Sequence, residues 1–398
     1  MLKSIQIRNL LSFGPDTPTF EFGPLSIFIG PNGSGKSNLL ETVGLLKAAA
    51  ENLAVPVKES GGVKEWLHKP YHKGSGSQSI EATIEAIVAA PRTAAKCLLH
   101  TLVVGEHGSR FEVVDEKVTY PTAKPGQAEP YFFYKFQRGF PILNQLNPDR
   151  DPDKGQARRL EREIINPEQS VLSQVRDPVH YPELNYLGSS YRRIALFRDW
   201  VFGRYTPPRI EQKVGLPNDY LTDTCDNLAL VLAEIIPSIG DDLVEALQSL
   251  YPEIKSIHTK PSGDRLQVYF REGSRLIPAT RLSDGTLRYL SILAALLHPS
   301  PPPLICIDEP DLGLHPDVLP SLADILRKAS ERTQIIITTH SELLVEAFTD
   351  HPEYVVVFDK ENGATTMRRL DADALHEWLK QYSLGELWSR GKLGGTRW

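Results

Sequence analysis

The stretch that most constrains this chain is Gly30-Pro31-Asn32-Gly33-Ser34-Gly35-Lys36-Ser37, because of what flanks it. Leu25-Ser26-Ile27-Phe28-Ile29 before it reads as a short buried strand, and Asn38-Leu39-Leu40-Glu41-Thr42-Val43 after it opens a helix. Strand, glycine-rich turn, Lys-Ser and helix together are the context that a phosphate-binding loop requires. Gly30, Gly33 and Gly35 let backbone N–H groups close around phosphate oxygens, with Asn32 and Asn38 beside them. Lys36 reaches the terminal phosphates and Ser37 can hold Mg²⁺. The chain is thus predicted to be an α/β P-loop NTPase that binds ATP.

Two further strands carry chemistry. Leu304-Ile305-Cys306-Ile307 is a continuous apolar run ending in Asp308-Glu309, which reads as a buried parallel strand delivering two carboxylates at its C-terminal end. Asp308 would accept from Mg²⁺-bound water and Glu309 would polarise the water that attacks the γ-phosphate; a strand running into a solvated turn is the plainer alternative. Gln334-Ile335-Ile336-Ile337-Thr338-Thr339 is a second such strand, ending in His340, 32 residues after Asp308. With a helix over about 316–329 between them, one βαβ unit would set both strand ends side by side, making His340 a candidate γ-phosphate sensor rather than a capping or surface residue.

Between loop and carboxylates, Leu282-Ser283-Asp284-Gly285-Thr286 heads a helix. A helix starting at Ser283 offers a hydroxyl and unpaired N–H groups to an anion. The chain's own nucleotide is already held by its own loop, so the anion at Ser283 and Gly285 is expected to belong to a second copy.

These motifs in this order, with Glu309-Pro310-Asp311-Leu312-Gly313-Leu314-His315-Pro316, resemble the ATP-binding-cassette ATPases, specifically the RecF/SMC/OLD-like branch of AAA-type ATPases. The resemblance covers 1–50 and about 280–398. It implies a head-to-tail dimer around two ATP, with Asp311 to His315 touching the partner. Ile5-Gln6-Ile7-Arg8-Asn9-Leu10-Leu11-Ser12-Phe13 looks like the branch's opening strand, with Leu10 in place of an aromatic, and implies Arg8, Asn9 and Ser12 near the nucleotide. Asp284 and Thr286 stand where Gly and Gln are common, which fits a transporter subunit poorly. The family also has a Gln that contacts Mg²⁺, for which Gln174 is the candidate. His315, with no clustered Cys or His near it, reads as structural.

The middle of the chain reads as an antiparallel β subdomain over 51–150, with alternating runs at 79–88, 98–105, 111–120 and 131–136. A compact, mainly helical insertion lobe over 151–279 follows, with helices at 156–165, 186–201 and 227–236 and returning strands. Recurrent prolines, among them Pro207, Pro208, Pro217, Pro237 and Pro252, exclude a long coiled-coil arm. The ATPase core is assigned to 1–50 and 280–398. Tyr191 to Trp200, with Arg158, Arg159 and Arg162 nearby, mixes arginines and aromatics; it could hold nucleic acid or be a core-facing amphipathic helix.

After His340 only 58 residues remain, too few for the nuclease domain of OLD-type proteins, so any nuclease would be a separate chain. The tail at 391–398 reads as disordered or a docking peptide. No apolar run approaches a membrane span, Cys97, Cys225 and Cys306 suggest reduced thiols, and a cytoplasmic protein is expected. The net charge of −6 gives no general attraction to nucleic acid. Two functions fit: a DNA-acting ATPase in repair, genome maintenance or phage defence, implied by the resemblance, or a nucleotide-dependent switch on a partner effector protein.

Overall fold

A computed structural model describes residues 1–69, 80–91, 93, 96–108, 110–123, 125–137, 140–145, 156–159 and 165–395. In chain order these form β1 (Leu2–Arg8), β2 (Phe20–Glu21), β3 (Leu25–Ile29), α1 (Lys36–Ala49), α2 (Ala54–Glu59), α3 (Val63–Trp66), β4 (Glu81–Ala89), β5 (Cys97–His107), β6 (Arg110–Thr119), β7 (Phe132–Gln137), β8 (Phe140–Gln145) and β9 (Gln156–Arg159). There follow α4 (Val171–Gln174), α5 (Pro182–Arg192), β10 (Ile194–Phe197), β11 (Gln212–Lys213), α6 (Leu228–Gln248), β12 (Ile254–Ser262), β13 (Arg265–Glu272), β14 (Arg275–Pro278) and α7 (Asp284–Leu296). The chain closes with β15 (Leu304–Ile307), α8 (Leu319–Ser330), β16 (Gln334–Thr338), α9 (Glu342–Glu346), β17 (Val355–Glu361), β18 (Ala364–Arg369), α10 (Ala372–Leu379) and α11 (Leu384–Ser389).

The chain divides into two compact units. The first comprises Met1–Gly23, Asn32–Ile194 and Phe358–Met367, the second Pro24–Pro31, Ala195–Val357 and Arg368–Trp398. These boundaries fall elsewhere than the expected division into 1–50 with 280–398, 51–150 and 151–279. The physical reason is strand pairing: β1 is the antiparallel neighbour of β4, with Ile5 opposite Ala86 and Ile7 opposite Ile84, so the opening strand belongs with the β subdomain.

The first unit is organised on one eight-stranded antiparallel sheet in the order β2-β1-β4-β5-β6-β7-β8-β9. Alternation makes it: in β4, Ala82, Ile84, Ala86 and Val88 are buried while their neighbours are not. The same unit holds a buried polar cluster. Glu116 accepts from Ser170 Oγ at 2.5 Å and from the Val171 N–H at 2.8 Å, and lies 3.0 Å from His100 Nε2. His100 Nδ1 in turn is 3.2 Å from the Tyr191 hydroxyl, so the carboxylate joins β5 and β6 to the start of α4 and to α5. Two sequence expectations need correction here. Residues 156–159 pair with β8 as a strand instead of starting a helix, because Gln156 to Arg159 satisfy the open edge of β8; 160–164, with Arg162, and Ser79 lie outside the described residues. The helix expected at 186–201 ends at Arg192, and the apolar Ile194-Ala195-Leu196-Phe197 becomes β10.

The second unit holds the parallel sheet, in the order β10-β15-β16-β3-β17, with β15, β16, β3 and β17 successively parallel. All residues of β3, β15 and β16 are buried, which explains why they read as unbroken apolar runs. Each such Leu or Ile contributes about 1.5–3 kcal/mol. Its core is completed by α6, α7 and α8. Pro237 does not end α6: the helix continues to Gln248 with a kink at Ile239 (φ −133°), because Leu243 and Leu247 beyond it are buried in that core. An antiparallel sheet of β11 to β14 also lies here, so strands return beside α6 within 195–279. The tail departs from expectation at its start, where Leu393 is buried and its carbonyl accepts from Arg368 at 2.6 Å; 396–398 lie outside the described residues. Among the described residues no helix is long and apolar enough to cross a membrane.

Candidate functional site

The phosphate-loop side chains sit mainly in the first unit. Helix α1 begins at Lys36 with Gly35 as its N-cap, in a conformation (φ 109°, ψ 9°) that only glycine adopts easily, and no side chain caps it. A helix N-terminus after such a glycine turn is a place where an anion can bind. Gly35 also has no room for a methyl group: a Cβ there would collide with Thr365 Oγ1 and lie 2.7 Å from Ser12 Oγ. Thr365, on β18, donates to the Ser34 carbonyl at 2.7 Å and bonds Ser12 Oγ at 2.7 Å, and Asn38 Nδ2 donates to the same Ser12 hydroxyl at 2.8 Å. Ser12 and Asn38 thus brace the loop from outside. Lys36 is buried, while Asn32, Gly33 and Ser37 are exposed.

Asn9, with φ 57°, turns the chain toward Ser12. Arg8 bonds Gln6 Oε1 at 2.5 Å and lies 3.5 Å from Glu85. Gln174 is engaged locally: its Oε1 accepts from Asn166 N at 2.8 Å and its Nε2 donates to the carbonyls of Asn166, Gln169 and Ser170. Both ends of the amide are used in closing that one loop.

The carboxylates are in the second unit. Because β15, β16 and β3 are consecutive parallel strands, Asp308 and Glu309, then Thr339 and His340, then Gly30 and Pro31 leave one edge of the sheet side by side. Thr338 Oγ1 donates to Asp308 at 2.5 Å and accepts from Glu309 N at 3.0 Å. Glu309 has φ 48°, a left-handed backbone that costs a side-chain-bearing residue about 1–2 kcal/mol. Glu309 Oε1 lies 3.8 Å from His340 Nε2, and both side chains are partly exposed. The half-buried Asp311 accepts from Thr339 Oγ1 at 2.6 Å, and burial pushes its carboxyl above the usual carboxylate range despite nearby His340 and Arg288. Leu312 and His315 of the same loop are exposed, His315 capping the next turn by accepting from Asp317 N at 3.4 Å.

Ser283 is the N-cap of α7, its Oγ accepting from Thr286 N at 3.1 Å and lying 2.7 Å from Thr286 Oγ1. It is nonetheless exposed, as is Asp284. A Cβ on Gly285 would lie 2.7 Å from the Gly313 carbonyl oxygen, so the helix start rests against the 309–316 loop. Sequence reasoning missed what holds this segment. Buried Arg209 donates to the carbonyls of Ala279, Thr280 and Leu282 and to the Asp284 carboxylate. It lies 70 residues before Ala279, and no local pattern marks it. Arg288 was legible only as a residue of the same helix; its Nη2 donates to the Glu309 carbonyl at 3.3 Å.

The mixed stretch 191–200 places part of its length in the core, while Arg193 and Asp199 are exposed. Tyr191 and Phe197 are fully buried, and Trp200 stacks on Phe197 and Phe202. Arg192 donates to the Ala50 carbonyl. Arg158 and Arg159 are exposed on β9, not on a helix, and Arg159 covers the Phe140 ring.

Parallel sheet, phosphate loop, carboxylate strand, histidine strand and serine-capped helix define a P-loop ATPase head of the ABC/SMC type. A family profile described as "AAA domain, putative AbiEii toxin, Type IV TA system" (AAA_21) matches residues 148–346, half of the chain, and the chain belongs to that family. The solved structure of an Smc head bound to the C-winged helix domain of ScpA is similar over 94% of this chain and 99% of that one, with a TM-score of 0.60 and 12% identity. An Smc head with an extended coiled coil bound to the C-terminal domain of ScpA, derived from Pyrococcus furiosus, gives 0.52 over 96% and 98%, at 11% identity. At such identities the likeness shows the fold. ABC transporter A family members 12 and 6 of Arabidopsis thaliana are 30% and 36% identical over 102 residues, 26% of this chain. The chain spans about a tenth of the length of these curated relatives, 10% and 9%.

Proposed function

We propose that the protein binds and hydrolyses ATP and closes as a head-to-tail dimer around two ATP. The observation that carries this reading is the alignment of the Asp308-Glu309, Thr339-His340 and Gly30-Pro31 strand ends on one sheet edge. Lys36 and the N-terminus of α1 bind the phosphates. The hard oxygen donors Ser37 and Asp308 suit Mg²⁺, which supplies neutralisation of phosphate charge when bound. Glu309 takes the proton of the attacking water, and His340 contacts the γ-phosphate. Ser283, exposed at the head of α7, and Gly285 beside it meet the nucleotide of the second copy.

What the cycle drives is better supported as control of a partner protein than as action on DNA. In the arginine and aromatic stretch Tyr191 and Phe197 are buried and partly exposed Trp200 is stacked on Phe197 and Phe202, which speaks against base stacking there, and the chain is net acidic. Two Smc heads of similar fold were solved with a ScpA domain bound, which accords with control of a partner. The test is ATP turnover with and without duplex DNA over a salt series, with Glu309→Gln as the blank. Turnover indifferent to DNA at every salt supports the switch; stimulation that fades steeply with salt would return the DNA reading. Glu309→Gln should keep ATP binding and hold the dimer closed, and wild-type turnover in that variant would remove Glu309 as the base.

A further inference from the structure

Arg288 belongs to no motif, yet it stands at the centre of the carboxylate cluster. Its guanidinium donates to the carbonyl of Glu309 at 3.3 Å and lies 5.7 Å from the Trp200 ring. Burial pulls its pKa down, against the opposing charges of Asp311, Glu309 and Asp308. Its Nε is buried without an acceptor among the described residues. A half-buried guanidinium with one N–H unmatched is destabilising by itself, so its placement asks for another reason.

The geometry supplies one. Three bonds reach the left-handed Glu309 backbone: Thr338 Oγ1 accepts from its N–H, and its carbonyl accepts from Leu312 N at 3.1 Å and from Arg288 Nη2 at 3.3 Å. The first comes from a strand buried in the sheet, the second from within the 309–316 loop, and the third from α7. That helix meets the 309–316 loop twice, through Arg288 at Glu309 and through Gly285 against the Gly313 carbonyl. Ser283, expected to meet the second copy's nucleotide, caps the same helix. Leu287 and every residue from Tyr289 to Leu296 are buried, so the helix is one packed body and a displacement at its Ser283 end carries Arg288 with it.

We propose that Arg288 is a positioning residue, through which engagement of the Ser283 end of α7 sets the backbone, and so the carboxylate, of Glu309. This rests on the ATPase reading with Glu309 as base. When α7 is seated by the second copy's nucleotide, Arg288 grips the Glu309 carbonyl; when it is displaced, that carbonyl keeps only its turn bond from Leu312 N, and the carboxylate shifts away from the attacking water.

The test compares Arg288→Met and Arg288→Lys in wild-type and Glu309→Gln backgrounds, reading steady-state ATP turnover, KM and ATP-dependent dimer formation on the full chain. Arg288→Met should lower kcat about 10-fold or more with KM and closure unchanged, and should change the residual rate of Glu309→Gln by less than about 2-fold, because residues acting as a unit are not additive. Arg288→Lys keeps the charge and guards against misfolding; it should fold normally and still fall short of wild-type kcat, since one ammonium does not reproduce the planar fork. An equal loss in both backgrounds, loss of closure, or full kcat in Arg288→Lys overturns the proposal. Wild-type turnover in Glu309→Gln alone would instead overturn the base assignment on which it rests.

Discussion

Gly35→Ala tests whether the phosphate loop is shaped from outside by β18. At φ 109° and ψ 9° an alanine carries about 1–3 kcal/mol of backbone strain. Its Cβ would also collide with Thr365 Oγ1 and sit 2.9 Å from Thr365 Cγ2 and 2.7 Å from Ser12 Oγ, an overpacking of about 1–3 kcal/mol. The two effects sum to about 2–6 kcal/mol, and at about 2–4 °C per kcal/mol the melting temperature of this unit should fall by at least about 4 °C. Most of the collision is with Thr365, so Thr365→Ala should relieve it. In that background Gly35→Ala should cost only the strain and the Ser12 contact, a coupling of about 1–3 kcal/mol. Thermal unfolding of the four proteins of the cycle, with ATP affinity read in parallel, measures it. Additive losses would refute the claim that Thr365 is what excludes a side chain from position 35.

Ser283→Arg should abolish ATP-dependent dimer formation while leaving ATP binding by the monomer intact, which light scattering with and without ATP checks. Asp311→Asn should raise the melting temperature near neutral pH. The folded-state pKa of Asp311 is raised, so the folded protein holds the proton more tightly and its ionised form is destabilising; the advantage of Asn should shrink as pH falls through the raised pKa toward the ordinary carboxylate value. Arg209→Lys should loosen the segment ahead of α7, because one ammonium cannot serve the carbonyls of Ala279, Thr280 and Leu282 together with Asp284. Hydrogen exchange at 279–286 should rise.

The parts of this protein legible in its sequence are those whose signal is local. Gly30 to Ser37 and Leu304 to Glu309 announce themselves because a parallel strand buried on both faces must be continuously apolar, and the groups that follow it must then be turn-formers or ligands. The serine cap of α7 is local for the same reason. What was not legible is set by distance along the chain. The strand β9 reads as a helix without the edge of β8 to receive it. Thr365, Arg209 and Arg288 carry no pattern at all. Each acts on the backbone of a residue in another element: Thr365 on the Ser34 carbonyl, Arg209 on those of 279–282, Arg288 on that of Glu309. A motif names the groups that face the substrate, and their flanks show in sequence because they are contiguous. The side chains that fix the angles of those groups are recruited from wherever the fold passes, so their identity follows from tertiary structure alone, and they are where variants should alter turnover without altering any recognisable motif.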